Sequence, residues 1–255
     1  MDYQFLKIEK STDLVTVTLD RPPGNLLNVE FIEELNEVML GLRGERSLEV
    51  LVIRGSQKSF SDGLDLNDLV TGRTHRLLQV YMRLFETLRM MDVVEVAVVE
   101  GRALGAGFEV ALGCNLFVAS ESATFALPEI RMGLFPPLAT GVLPRIAPRR
   151  KAMEWILTGN DITAAELHHH GVINRLLSNT NFEEELNRFV AELTDKSTPV
   201  LALAKRAQFE AYYSTFPDAM SRAQSLFLRE LMDLEDSHEG VRASLEGREP
   251  EWKNR

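Results

Sequence analysis

The feature that most limits how this chain can fold is the alternation, through its first half, of short apolar runs with longer stretches of helical spacing. Residues 15–19 and 49–53 read as strands, the second rich in β-branched side chains and closed by Gly55. Between them, residues 28–42 place Val29, Ile32, Leu35, Val38 and Met39 at intervals of three and four, which predicts a helix. The order repeats: a helix over 75–91, a strand over 94–99, a short apolar helix starting near Gly107, and a strand over 116–119. Such alternation predicts an α/β fold with right-handed crossovers. Strands become rare after about Glu129, and the remainder reads as helices, the last long one over roughly 217–234 before a charged tail. This places an α/β core at residues 1–195 and a helical C-terminal region at 196–255. Neither a low-complexity linker nor a sequence repeat divides the chain.

A chain of 255 residues, 45% of them hydrophobic, can bury an ordinary core without covalent staples. The single cysteine, Cys114, rules out an internal disulfide framework, and no Cys/His spacing matches a zinc site. The N-terminus lacks a basic-flanked apolar core, and no apolar run approaches the roughly 20 residues of a membrane span. A cytoplasmic enzyme without a membrane partner is therefore expected. With 28 basic and 38 acidic residues the net charge is -10, a field that repels nucleic acid. A phosphate-bearing ligand would need a local basic or backbone N–H site.

Two loops concentrate glycine where a strand ends, so the backbone can approach a ligand and present its amides. The first, Lys58-Ser59-Phe60-Ser61-Asp62-Gly63-Leu64-Asp65-Leu66, follows the strand at 49–53. The second, Gly101-Arg102-Ala103-Leu104-Gly105-Ala106-Gly107-Phe108-Glu109, follows the strand at 94–99. One N–H from each could converge on a single carbonyl oxygen and favour an enolate, since preorganised dipoles act where negative charge develops. Each loop taken alone could equally be a tight turn. A dinucleotide site fits poorly, because the third glycine of G-x-G-x-x-G would fall on Val110.

Glu109 lies in the first turn of the apolar helix, and Glu129 follows Pro128 at the end of another strand. A carboxylate at a helix start can simply complement the helix dipole. Both, however, sit among apolar residues beside glycine-rich turns. Two carboxyls in such a pocket take separated pKa values, one serving as base and one as acid, as water addition demands. Other residues carry less. His168-His169-His170 point in different directions on a helix and cannot share one ion, Cys114 reads as apolar filler, and Ser59 and Ser61 lack the context of an activated nucleophile.

Together these segments resemble the enoyl-CoA hydratase/isomerase, or crotonase, superfamily over nearly the whole chain. The resemblance rests on Val15-Thr16-Val17-Thr18-Leu19 with Arg21-Pro22, the loop from Phe60 to Leu66, the loop from Ala103 to Glu109, Leu127-Pro128-Glu129-Ile130 with Gly133, and Leu157-Thr158-Gly159. It implies a spiral of ββα units with a C-terminal helical region, assembled as a homotrimer or homohexamer. It also implies an oxyanion hole from the backbone N–H groups of Leu64 and Ala106, and Glu109 and Glu129 as the paired glutamates of the hydratases. The substrate would be an acyl-CoA thioester, with no separate cofactor and no metal. Residues Asp62, Gly63, Leu64, Asp65 and Leu66 would line the adenine pocket, with Lys58 on a CoA phosphate and Gly105 and Pro137 also at the substrate. Retention of both glutamates leans towards water addition over double-bond isomerisation, which commonly keeps only the second; a non-catalytic acyl-CoA binding protein is the third reading.

Arg21-Pro22-Pro23-Gly24-Asn25-Leu26-Leu27-Asn28, Gly133-Leu134-Phe135-Pro136-Pro137 and Leu143-Pro144-Arg145 look like the cyclohexa-1,5-diene-1-carbonyl-CoA hydratases of anaerobic aromatic degradation. Three departures qualify the resemblance. Ala106 stands where the family usually has glycine. Pro137 replaces a glycine whose N–H helps hold the catalytic water, and proline has none to give. Ser244 and Gly247 replace an aromatic residue and a lysine that reach a neighbouring subunit's CoA.

Overall fold

The chain is seen here as a computed structural model that describes residues 3–45 and 48–255. It begins with an antiparallel pair, β1 (Leu6–Lys10) and β2 (Leu14–Leu19), followed by α1 (Val29–Leu42). Asn28 stops short of the helix and caps it, its side chain accepting from the Phe31 N–H at 2.9 Å. Three units then repeat one plan of strand, short strand and helix. The first is β3 (Val50–Arg54), β4 (Ser59–Ser61), α2 (Asn67–Val70) and α3 (Thr74–Arg89). The second is β5 (Val94–Val99), β6 (Arg102–Leu104) and α4 (Ala106–Gly113). The third is β7 (Leu116–Ser120), β8 (Thr124–Ala126) and a 3₁₀ turn, Pro128–Met132.

The long strands join one sheet, in the order β1-β2-β3-β5-β7-β10, and the short ones a second, β4-β6-β8-β9. From β2 onward the larger sheet is parallel. The expected spiral of ββα units is thus the observed architecture. Each unit sends one strand to each sheet, and α4 contacts strands of both. That explains why α4 is apolar all round: Ala106 to Leu112 are buried without exception.

After the third unit come α5 (Ala139–Ile146), α6 (Arg149–Thr158), β9 (Ile162–Thr163), α7 (Ala164–His169) and β10 (Arg175–Leu177). Strands therefore do persist beyond Glu129. β9 and β10 are two and three residues long, too short to display an alternation, and each exists by pairing with β8 or β7. β1 was likewise not expected: its inward Leu6 and Ile8 alternate with Lys7, Glu9 and Lys10 over a single short run at the sheet edge.

Helices α8 (Phe182–Thr194), α9 (Thr198–Tyr212), α10 (Phe216–Arg229) and α11 (Glu235–Glu246) complete the chain. The helix expected over 217–234 ends at Arg229, and the expected charged tail is instead α11. Its charges are tied locally: Arg248 pairs with Glu239 at 2.6 Å, and Asp236 accepts from the Lys253 and Asn254 N–H groups. The larger sheet is covered on both faces. Val52, Val96 and Val118 meet Leu186, Phe189 and Val190 of α8 on one side, while Leu51, Ile53 and Ala97 face the main core on the other.

Candidate active site

The two glycine-rich loops meet. Leu27 N–H donates to the Gly63 carbonyl at 2.8 Å and Asp65 N–H to the Leu27 carbonyl at 2.9 Å, a parallel bridge centred on Leu64. That pattern uses the groups flanking Leu64 and turns its own N–H to the opposite side of the strand. Gly63, at φ 106°, lets the first loop lie against the second: a Cβ there would stand 3.2 Å from the Leu104 oxygen and 3.9 Å from the Ala106 nitrogen. Gly105, at φ 50°, donates to the Ala126 carbonyl, and any Cβ on it would collide with the Glu129 carboxylate. The left-handed conformation thus falls on Gly105. Ala106 opens α4 with ordinary helical angles, so alanine is unstrained there and its N–H, as the first of the helix, has no intrahelical acceptor.

Glu109 is 1% exposed and accepts three hydrogen bonds. Tyr81 O–H donates to Oε2 at 2.6 Å, and the Leu138 and Ala139 N–H groups donate to Oε1 at 2.7 and 2.6 Å. The last two belong to the start of α5, so this carboxylate also caps that helix. Burial pushes the Glu109 carboxyl up from its ordinary range, while Tyr81, Ala139 and Leu138 pull it back by bonding the charged form. Glu129 is differently placed. It lies in the first turn of the 3₁₀ segment, it is 9% exposed, and its Oε2 is buried without a hydrogen-bond donor among the described residues. Burial raises its carboxyl to about 7; its own backbone N–H opposes the rise and Glu109 adds to it. One site therefore holds a carboxylate fixed by three donors beside a carboxyl poised to exchange a proton near neutrality.

The remaining candidates take varied positions. Lys58 is exposed just before β4. Asp62 is bound by Arg102 at 2.7 Å and by the Ser59 hydroxyl at 2.8 Å, and Asp65 by Arg21 at 3.0 Å. Those side chains fix the loop, and Leu66 beyond them is exposed. Ser61 donates to the Asn25 carbonyl, so neither serine is free to act as a nucleophile. Pro137 is half-buried and immediately precedes the two amides that hold Glu109. His168 turns away to bond the Ile173 carbonyl, but His169 and His170 do not part as expected: their rings meet edge-on at 5.0 Å, and His170 also meets the Trp155 ring. Cys114 follows α4, its thiol driven up by burial. Ser244 and Gly247 lie on the exposed end of α11.

Sequence reasoning missed Tyr81, Leu138 and Ala139. Tyr81 was open to detection as a polar tip at a core position, between Leu77 and Leu84 of the α3 stripe. The two amides carry no sequence signal, since any non-proline residue supplies an N–H.

Residues 9–255 match the pattern of the enoyl-CoA hydratase/isomerase family. The chain is 30% identical to the carnitinyl-CoA dehydratase of Escherichia coli O157:H7 over 98% of each. It is also 30% identical to the mitochondrial enoyl-CoA hydratase domain-containing protein 3 of Danio rerio, over 90% of this chain and 81% of that one. Among solved structures it resembles human enoyl coenzyme A hydratase domain-containing protein 3, with TM-score 0.93 and 26% identity over 98% of this chain and 100% of the other. An enoyl-CoA hydratase of Mycobacterium smegmatis gives TM-score 0.92 and 26% identity over 98% and 99%. The chain belongs to the enoyl-CoA hydratase/isomerase family and has the crotonase fold.

Proposed function

We propose that this protein adds water across a carbon–carbon double bond conjugated to a CoA thioester. The observation that carries this reading is the unlike setting of its two buried carboxyls, Glu109 held by three donors and Glu129 with a free oxygen. The thioester oxygen would lie between the N–H groups of Leu64 and Ala106, which stabilise the enolate as it forms. Glu109 orients the water and takes its proton; Glu129, protonated in the resting site, delivers a proton to the α-carbon. CoA enters as part of the substrate, and no separate cofactor takes part. The alternative that keeps one shuttling glutamate, an isomerase, has no use for so firmly held a Glu109.

The test is mass spectrometry of products formed from crotonyl-CoA and from cyclohexa-1,5-diene-1-carbonyl-CoA, offered separately. Gain of one water by either supports the hydratase reading, and gain by neither sinks it. Glu109→Gln should cut hydration at least about 100-fold. A variant that hydrates as fast as the wild type would remove Glu109 from the mechanism.

The finer reading is a cyclic dienoyl thioester as in anaerobic aromatic degradation. Pro137 supports it: it denies the site an N–H and puts a rigid ring beside Glu109, which suits a pocket shaped for a bulkier acyl group. The same experiment decides, since this reading expects only the cyclic substrate to gain water.

We also propose a homotrimer or homohexamer working in the cytoplasm. No helix among the described residues is long and apolar enough to cross a membrane. α10 buries none of its residues within the chain, and Phe216, Phe227 and Leu228 are 78, 53 and 60% exposed. Sedimentation equilibrium should return three or six chain masses, and a monomer at micromolar concentration would refute the assembly.

A further inference from the structure

We propose that Tyr81 is a positioning residue for Glu109: its hydroxyl holds the carboxylate in one rotamer and leaves Oε2 a single open lone pair for the reacting water. This rests on the hydratase reading above. The two oxygens of Glu109 are not equivalent. Oε1 takes both the Leu138 and the Ala139 N–H, which fills its two acceptor directions. Only Oε2 can still address a water, and the Tyr81 hydroxyl, 2.6 Å away, occupies one of its two directions and so dictates the other.

The tyrosine is itself held. Its ring is fully buried in the middle of α3 and meets the Phe85 edge at 4.9 Å and 89°. Phe85 in turn lies so close to Gly113 of α4 that a Cβ there would stand 2.7 Å from the ring. The helix that carries Glu109 and the helix that carries its donor are thus packed in one register. Among the described residues the one other acceptor near the hydroxyl, the Ala106 carbonyl at 3.4 Å, is too distant for a strong bond, so the O–H is committed to Glu109. Burial and the neighbouring Glu109 drive the tyrosine pKa well above its ordinary value, so it stays a donor across any working pH.

Tyr81→Phe keeps the ring and its contact with Phe85 and removes only the donor. Turnover is expected to fall about tenfold with KM within about twofold, because the interaction orients a reacting group and does not bind substrate. Carbon-13 NMR of protein labelled at the glutamate carboxyls, with Glu109 assigned by the signal missing in Glu109→Gln, should show its titration midpoint rising by roughly one unit. Substitution of Tyr81 by fluorinated tyrosines, which donate more strongly in the same volume, should move that midpoint down in a graded way and covers the case in which the phenylalanine variant does not fold. A purely structural tyrosine would lower the melting temperature and leave both the midpoint and the kcat-to-KM pattern unmoved, which would overturn the proposal. If the wild type hydrates no enoyl thioester, the hydratase reading fails, and the carboxyl titration still decides whether Tyr81 governs Glu109.

Discussion

Glu129→Gln is expected to lower hydration by about 10³-fold or more while the protein becomes no less stable. The substitution keeps the shape and removes a group with both an unpartnered carboxyl oxygen and a pKa near neutrality. On the proposed mechanism, in which Glu129 protonates the α-carbon, it must carry its proton in the free enzyme, so kcat/KM of the wild type should fall as pH rises past about 7. Stability gives an independent reading of the same carboxyl. Its folded pKa lies above its unfolded value, so its contribution is fully present below about 4.5 and is lost as pH rises through about 7. The melting temperature of Glu129→Gln relative to wild type should therefore climb between those limits and level off above them. Full activity in the variant, or a pH profile flat through 7, would move the acid elsewhere.

The largest stability effect is expected far from the chemistry, at Lys205→Met. Glu95 sits in β5 with no exposed side-chain surface, and Lys205 of α9 reaches it with bonds of 2.8 and 3.0 Å. The same ammonium donates to the Met91 and Val93 carbonyls at 2.7 and 2.8 Å, so its three protons are used. Burial still raises the Glu95 carboxyl to about 7 against the pull of the lysine. Removing Lys205 strands a buried charge and two carbonyls, at a cost of about 3–5 kcal/mol, which in a chain of this size lowers the melting temperature by roughly 10 °C. The loss should be greatest above pH 7, where Glu95 is ionised, and shrink towards pH 5, where it can take up a proton. A second change, Glu95→Met, should recover most of it, because an apolar pair can replace a buried ion pair. A Lys205→Met protein as stable as wild type at pH 8 would contradict this account.

The fold was legible where periodicity is strong. The spacing from Val29 to Leu42 and the β-branched run from Val94 to Val99 became α1 and β5 within a residue of expectation. It was illegible where an element exists only through its partner. The second sheet consists of strands of two or three residues, and a stretch such as Arg102–Leu104 carries no alternation to read. For the site, the sequence carried Glu109 and Glu129 because acids are conspicuous among apolar neighbours. What distinguishes them is contributed by groups remote in sequence: a hydroxyl 28 residues away and amides 29 and 30 residues away. Backbone donors leave no mark in composition, and Tyr81 looked like any other aromatic in a helix stripe.

The carboxylate of Glu109 closes the N-terminus of α5, and that double duty ties two kinds of evolutionary change together. A lineage that traded Glu109 for an apolar residue would leave the Leu138 and Ala139 amides without an acceptor and would have to recap or rebuild the segment that begins at Pro137. On the proposed reading, in which that segment walls the acyl group, the pocket would then shift with the chemistry. Reaction type and acyl preference would on that reading be inherited as a linked pair, and drift in one should leave a trace in the other.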